Sequence, residues 1–168
     1  MKKVLEINNL SKSYGKARAL DDASFELHQG QVLGILGPNG SGKTTCLSII
    51  LGVLNSFSGT FSWFENSSIK NFQKRIGSIL EQPNFYPWLS GEDNLRITNE
   101  IRDSKTSGFS KILEKVGLTN VKTKKFEEYS LGMKQRLALA AALIGNPEVL
   151  ILDEPTNGVD AKGIADIR

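Results

Sequence analysis

The sequence predicts an α/β domain with a mainly parallel sheet, an N-terminal antiparallel β portion and an inserted α-helical subdomain. Two near-continuous apolar segments support this prediction, "QVLGILG" at residues 31–37 and "EVLILDEP" at residues 148–155, because such runs are typical of strands buried on both faces. Between them, the spacing of apolar residues changes from the strand period to the helix period. Strands that alternate with helical blocks are characteristic of α/β architectures.

The sequence pattern in the first half of the chain predicts strands on either side of one helix. "KVLEINNL" (3–10) and "ASFELHQG" (23–30) have strand character, with "HQG" as a turn that leads into "QVLGILG". After Thr44 the apolar residues recur at three- and four-residue steps, which predicts a helix. "GTFSWF" (59–64) then predicts a further strand.

The second half is dominated by helical patterns. "FSKILEKVGL" (109–118) has one apolar stripe and ends at Gly117, and "MKQRLALAAALIGNP" (133–147) is rich in Ala and is stopped by Asn146 and Pro147. We therefore expect a single domain over residues 1–168, made of a core lobe at 1–82 plus 145–168 and a helical sub-lobe at 83–144.

Composition excludes several classes of protein. The 168 residues are 39% hydrophobic and 23% charged with a net charge of +3, as in ordinary globular proteins, and this small excess does not indicate a nucleic-acid partner. The longest apolar run, Leu137–Ile144, is shorter than the roughly 20 residues of a membrane helix. A single cysteine, Cys46, allows no internal disulfide, and a single histidine, His28, gives no support for a metal site.

Three glycines lie within six positions in "GPNGSGKTT", between the strand at 31–37 and the following helix. The segment fits G-x-x-x-x-G-K-[ST], in which backbone N–H groups and the helix N-terminus hold phosphates. We expect Lys43 to contact the β- and γ-phosphates and the Thr44 hydroxyl to ligate Mg²⁺. The segment therefore predicts a P-loop NTPase core, and the alternative is a glycine-rich turn with an incidental lysine. The predicted nucleotide-binding residues of this loop are Gly37, Asn39, Gly40, Ser41, Gly42, Lys43, Thr44 and Thr45.

Two acidic residues follow the strand-like run at residues 149–152. Asp153, at the end of a strand parallel and adjacent to the first, is placed to reach Mg²⁺, and Glu154 is placed to polarise the attacking water. Alone this pattern is weak, because a strand that runs into an acidic turn is common. Together with the phosphate loop it predicts a site that binds and hydrolyses a nucleoside triphosphate.

A second helix N-terminus is predicted at "YSLGMKQRLALA" (129–140). Ser130 is a suitable N-cap, and Gly132 lets other groups approach the backbone at the start of the helix. The helix start is either an anion site that serves a neighbouring molecule or simply a capped helix.

These motifs give the chain a resemblance to the nucleotide-binding subunits of ATP-binding cassette (ABC) transporters, over essentially its whole length. "YSLGM" resembles the family signature L-S-G-G-Q, with Ser130 and Gly132 kept and Tyr129, Leu131 and Met133 different. The patterns "SLGMKQRL" and "YPWLSGEDNL" resemble the bacterial branch that exports drugs, peptides and antibiotics.

The resemblance implies further roles. Tyr14 would stack on adenine, although a strand-edge tyrosine is the alternative. Gln82 would sense Mg²⁺ and the attacking water, and Asp160 would belong to the loop that crosses the dimer interface. Ser130 and Gly132 of one protomer would contact the γ-phosphate held by the other in a head-to-tail homodimer.

The resemblance also implies partners and a location. An integral membrane permease subunit would be contacted by Phe85, Tyr86 and Trp88, unless these aromatic residues only pack the helical lobe. The chain would lie at the cytoplasmic face of the plasma membrane, and no nucleic-acid partner is implied. ATP and Mg²⁺ are the expected ligands.

The family's switch histidine has no counterpart here, because His28 lies upstream and the sequence stops at Arg168. We therefore expect a C-terminally truncated domain. Its alternatives are a non-catalytic nucleotide-binding or dimerisation module and a soluble ATPase of the same class.

Overall fold

The fold is given by a computed structural model, which describes residues 2–55, 57–64, 72–80 and 84–155. The described chain forms two compact units, residues 1–73 and 74–168, and each is considered by itself. Antiparallel and parallel sheets occur together with helices, which confirms the α/β class. The division into a core lobe and a helical sub-lobe stays a prediction.

The first unit contains an antiparallel sheet and one helix. Its elements are β1 (Lys3–Tyr14), β2 (Ala17–His28), α1 (Lys43–Ile50) and β3 (Ser58–Trp63). The strand order is β2-β1-β3, so β1 is central. Leu5, Ile7 and Leu10 of β1 are buried, as are Ile49 and Ile50 of α1. Burial of these apolar side chains is the main stabilising term in this unit.

Trp63 joins the sheet to the helix. Its side chain is 2% exposed, and its indole Nε1 donates to the carbonyl oxygen of Ile50 at 2.7 Å. The Trp63 ring also stacks against Phe72, with ring centroids 6.0 Å apart. The sequence expectation for this strand is confirmed.

The prediction of a buried strand at residues 31–37 is wrong. Residues 31–38 form no strand, and the side chains of Val32 and Leu36 are 100% and 94% exposed. An apolar run becomes a strand only where neighbouring strands accept and donate its backbone hydrogen bonds. None of the strands within the described residues pairs with this segment.

The second unit contains a short parallel sheet and most of the helices. Its elements are β4 (Ile76–Ile79), α2 (Gly91–Ile101), α3 (Ser110–Lys115), α4 (Leu131–Ala142) and β5 (Val149–Leu152). Short 3-10 helices lie at Gln73–Arg75, Thr119–Val121 and Phe126–Glu128. β5 pairs in parallel with β4, a strand that the sequence reading did not identify.

The core of the second unit lies between its helices. Leu95, Leu113, Leu118, Leu137 and Ile144 are fully buried in one cluster. α4 also approaches β4 closely, because a Cβ added at Gly77 would lie 2.1 Å from the carbonyl oxygen of Ala142. Among the described residues, no helix is long and apolar enough to cross a bilayer.

Candidate nucleotide-binding site

The glycine-rich loop enters α1 through two left-handed residues. Gly40 and Gly42 have φ values of 80° and 89°, a region that is unfavourable for residues with a side chain. Between them, the N–H of Ser41 donates to the carbonyl of Pro38 at 3.2 Å. A Cβ at Gly37 would lie 2.6 Å from the Ser41 Oγ, so this glycine lets the loop close on itself. The loop geometry thus accounts for the glycine spacing.

Lys43 reaches back across the loop. Its Nζ donates to the carbonyl oxygens of Gly37 and Pro38, at 2.9 and 3.0 Å. These bonds place the ammonium group beside the loop and at the N-terminus of α1. The first turn of a helix also directs N–H groups without intrahelical acceptors toward this region. The arrangement concentrates positive charge and donors where an anion would be held.

The loop is fixed against the β1–β2 hairpin at one point. A Cβ added at Gly42 would lie 2.0 Å from the carbonyl oxygen of Ala19 in β2. The hairpin register shifts between the pairs Lys12–Leu20 and Ser13–Arg18. Ala19 is therefore the extra residue of a β-bulge, and bulges of this kind redirect the backbone. Glycine is required at position 42 by its φ value and by this contact.

Tyr14 ends β1 beside that point. It pairs with Ala17, and its side chain is 51% exposed. From the strand rise and spacing, its backbone lies within about 10 Å of Ala19. Tyr14 and the phosphate loop therefore lie beside the same segment of β2 within the first unit. Lys12, two residues earlier, places its Nζ 5.1 Å from the centroid of the Tyr14 ring.

The predicted acidic pair follows β5 in the second unit. The N–H of Asp153 donates to the carbonyl of Ile79 at 2.9 Å, which extends the β4–β5 ladder by one residue. Asp153 is 8% exposed, whereas Glu154 is exposed and has a φ of 46°. Left-handed φ values at non-glycine residues are uncommon, and Glu154 shares this conformation with Asn9, Asp22, Phe64, Asp103 and Asn146.

Ser130 caps α4 as predicted. Its Oγ accepts a hydrogen bond from the N–H of Met133 at 3.3 Å. Ser130 is exposed, and Gly132 is half-buried in the first turn of the helix. The capped helix start is confirmed, while its role as an anion site for a neighbour stays a prediction.

The three aromatic residues that precede α2 differ in burial. Phe85 is partly buried and meets Phe126 edge to face, with ring centroids 5.2 Å apart. Tyr86 and Trp88 are 47% and 63% exposed, and their ring centroids are 5.4 Å apart. Phe85 therefore packs the unit, and the other two are accessible.

Two predicted site residues, Gln82 and Asp160, fall outside the described residues. The loop residues and Tyr14 belong to the first unit. Asp153, Glu154, Ser130 and Gly132 belong to the second.

Sequence reasoning missed three structural features of these sites. The position of the Lys12 side chain over the Tyr14 ring follows from the two-residue period of a strand and could have been predicted. Asn94 is 1% exposed and its side chain bonds to the backbone of the turn before α2, which no local pattern indicates. Tyr129 lies against Gly91, a contact between residues far apart in the sequence.

Comparison with known proteins identifies the chain. The family model described as ABC transporter matches residues 20–157. The chain belongs to the ABC transporter family. The ABC transporter relatives include a bacitracin transport ATP-binding protein of Enterococcus faecalis, 43% identical over 100% of this chain and 56% of the relative. A lantibiotic transport ATP-binding protein of Streptococcus pyogenes is 40% identical over 98% of the chain and 72% of the relative.

Solved structures agree with this family. A putative ABC transporter ATP-binding protein from Pyrococcus furiosus superimposes with a TM-score of 0.84 at 30% identity, over 97% of this chain and 81% of that one. An ATP-binding cassette of an ABC transporter in its ADP conformation gives a TM-score of 0.81 at 28% identity, over 99% of this chain and 74% of that one. The chain spans about half the length of the first two curated relatives, 55% and 56%.

Proposed function

We propose that this protein is the ATP-binding subunit of an ABC exporter and that it hydrolyses ATP to drive transport through a separate membrane subunit. The observation that carries the proposal is the loop in which Gly40 and Gly42 adopt positive φ values immediately before Lys43 and α1. Family membership supports the same reading. The relatives named for bacitracin and lantibiotic transport favour export of such a compound over a soluble ATPase or a non-catalytic module.

The triphosphate is held by the loop from Gly37 to Thr45. The loop's backbone N–H groups donate to the phosphate oxygens, and Asn39 and Ser41 belong to the same turn. The Lys43 ammonium group, already directed across the loop, offsets the charge of the β- and γ-phosphates. Hydrogen bonds to charged groups are the strong ones, so this cation carries a large share of the binding.

Mg²⁺ fits the donor set that the chain provides. Within the part of the chain that the structure describes, no three His, Cys, Asp or Glu side chains cluster as a metal site. Mg²⁺ bound with a nucleotide needs only one or two protein carboxylates besides phosphate oxygens and water. The Thr44 hydroxyl, the buried Asp153 carboxylate and Gln82 would hold it. When bound, Mg²⁺ neutralises charge on the β- and γ-phosphate oxygens.

Hydrolysis is an in-line attack of water on the γ-phosphorus. Glu154 accepts a hydrogen bond from this water and orients it, and Gln82 contacts the same water. The new P–O bond forms as the bond between the γ-phosphorus and the bridging oxygen breaks, which gives ADP and inorganic phosphate. Lys43 offsets the charge on the transferred group, and positioning supplies most of the rate enhancement.

The active unit is a head-to-tail dimer. Tyr14 stacks on the adenine of its own nucleotide, and Ser130 and Gly132 contact the γ-phosphate held by the partner. Asp160 would belong to the loop that crosses the interface. The exposed N-cap of α4 supports this role, because a helix start favours an anion.

The membrane partner contacts the second unit at the exposed pair Tyr86 and Trp88. Exposed aromatic residues with a polar end are typical of protein interfaces. The protein would lie peripherally at the cytoplasmic face of the membrane.

ATP binding is tested by calorimetry with Mg²⁺ and ATP. Lys43→Met should weaken binding by about tenfold or more, because a hydrogen-bonded charge is lost. Lys111→Met removes an equal charge from the exposed face of α3 and should leave affinity unchanged. Equal affinity of the protein and Lys43→Met for ATP would contradict the proposed phosphate site.

Hydrolysis and dimerisation are tested with Glu154→Gln. This variant should bind ATP, turn it over roughly 10²- to 10⁴-fold more slowly, and elute as a dimer with ATP in gel filtration. Glu114→Gln, on an exposed part of α3, is the matched control and should behave as the unchanged protein. If Glu154→Gln stays monomeric with Mg-free ATP, the dimer proposal fails.

A further inference from the structure

We propose that Lys12 is a positioning residue for the nucleotide base, because it holds the Tyr14 ring in the orientation in which the base stacks. This inference rests on the proposed function of the phosphate loop. The Lys12 Nζ lies 5.1 Å from the Tyr14 ring centroid and donates to the carbonyl oxygen of Asn55 at 3.0 Å. The ammonium group is thus fixed between a ring face and a backbone oxygen.

The strand geometry puts Lys12 and Tyr14 on the same face of β1. Side chains two residues apart on a strand point to the same side, so Lys12 is the residue on β1 that can cover the ring from the strand. The neighbouring bulge at Ala19 is the point where the hairpin contacts Gly42 of the phosphate loop. Tyr14 and the loop thus lie beside the same short segment of β2, Ala17 to Ala19, and we infer that a base attached to a phosphate chain in the loop reaches the Tyr14 ring.

Lys12 leaves one face of the ring for the ligand. A cation held over an aromatic ring is attracted by the negative face of the π system, and it occupies that face. The Tyr14 side chain is 51% exposed, and in this proposal the base stacks on the ring face opposite Lys12. An aromatic ring that is already oriented loses less rotamer entropy when a base stacks on it, so affinity rises without a new contact.

In this proposal Lys12 and Tyr14 recognise the planar base of the nucleotide and not the charge of its phosphates. A lysine that acted on the phosphates would bind any polyphosphate more tightly. A lysine that acts through Tyr14 affects only ligands that carry a base. The two roles are therefore separable with inorganic tripolyphosphate, which has phosphates and no base.

The test measures affinity for Mg²⁺–ATP and for inorganic tripolyphosphate by calorimetry. Lys12→Met keeps the apolar stem and removes the charge, and it should weaken ATP binding about two- to fivefold while tripolyphosphate affinity stays unchanged. Lys12→Arg should retain the affinity of the unchanged protein, since a guanidinium also binds a ring face. Lys16→Met, at the exposed hairpin turn, is the matched control and should change neither affinity.

Two further measurements decide the mechanism. In a Tyr14→Ala background, Lys12→Met should have no additional effect on ATP binding. Without nucleotide, the aromatic NMR signals of Tyr14 should shift in Lys12→Met and not in Lys16→Met, which reports the ring contact even if affinities are low.

The outcomes separate this inference from the proposed function. An equal loss for ATP and tripolyphosphate, a loss that persists without Tyr14, or unchanged Tyr14 signals would overturn the inference and leave the phosphate site standing. If Tyr14→Ala weakens ATP binding and Lys12→Met does not, the inference alone is overturned. If Tyr14→Ala leaves ATP affinity unchanged, base stacking itself is refuted and the inference with it.

Discussion

Replacing Gly42 by alanine tests how the phosphate loop is held against the hairpin. The substitution has two costs, because Gly42 has a φ of 89° and an added Cβ would lie 2.0 Å from the Ala19 carbonyl oxygen. Gly40 provides a matched control, since its φ is 80° and a Cβ there would meet nothing within 4 Å. The difference between the two variants isolates the contact with the bulge.

The expected loss in the free energy of unfolding follows from these two costs. A left-handed conformation costs an alanine about 1–2 kcal/mol, which applies to both variants. At Gly42 the backbone must also move by at least 1.0 Å, from 2.0 Å to the 3.0 Å below which real Cβ contacts essentially never fall. Forced displacement of packed atoms costs about 1–3 kcal/mol more. We expect Gly42→Ala to lower the free energy of unfolding by about 2–5 kcal/mol, against about 1–2 for Gly40→Ala.

The assay is thermal unfolding without nucleotide, followed by circular dichroism. For a chain of this size, 1 kcal/mol corresponds to about 2–4 °C in Tm. Gly40→Ala should therefore melt about 2–8 °C lower, and Gly42→Ala about 4–20 °C lower. Equal shifts in the two variants would show that the Ala19 contact contributes nothing, and would refute the role given to the bulge.

Three further predictions concern the second unit and the thiol. Asn94→Leu should lower the free energy of unfolding by about 1–3 kcal/mol in urea titrations, since it removes the hydrogen bonds between the buried Asn94 amide and the backbone of the turn before α2; an unchanged midpoint would contradict this. Gly91→Ala should destabilise, because its Cβ would lie 2.2 Å from the Tyr129 hydroxyl, and Tyr129→Phe should relieve part of that loss in a double-mutant cycle. Burial raises the pKa of the Cys46 thiol, so less thiolate is present at any given pH, and Ellman's reagent at pH 8 should react slowly until urea unfolds the protein.

The conformation of the glycine-rich loop could be predicted because it depends on neighbouring residues. Gly40, Gly42 and Lys43 lie at fixed spacing in one short segment, so the loop conformation follows from residues that are close in the sequence. The Ser130 cap was predictable for the same reason, because a capping serine bonds to a residue three positions later.

Strand pairing was less predictable, because an apolar run does not show which strand, if any, it pairs with. The run at residues 31–37 has the composition of a buried strand, yet Val32 is 100% exposed. β4 was missed, although Gly77 within it is a sign of close backbone approach, here to Ala142. Contacts such as Lys12 with Asn55 join distant residues that no local pattern relates.

One departure of this chain from the common signature, Tyr129, has a structural reason in the second unit. Tyr129 is buried, and its hydroxyl donates to the carbonyl of Val121 at 2.9 Å. Burial raises the pKa of this phenol, which keeps it neutral as a donor. The ring fits because residue 91 is glycine, and a side chain there would meet the hydroxyl. A residue with a side chain at position 91 would therefore clash with the Tyr129 hydroxyl.

The accessible aromatic turn is also linked to the segment that precedes α4. Backbone bonds join the turn to the segment before the signature, from Phe126 N–H to the Leu89 carbonyl at 2.9 Å and from Glu127 N–H to the Pro87 carbonyl at 3.0 Å. Trp88 lies within this bonded turn, and Ser130 follows the bonded segment by three residues. Because segments joined by backbone hydrogen bonds tend to move together, a displacement of the turn at Trp88 that keeps these bonds also displaces the segment that leads to Ser130.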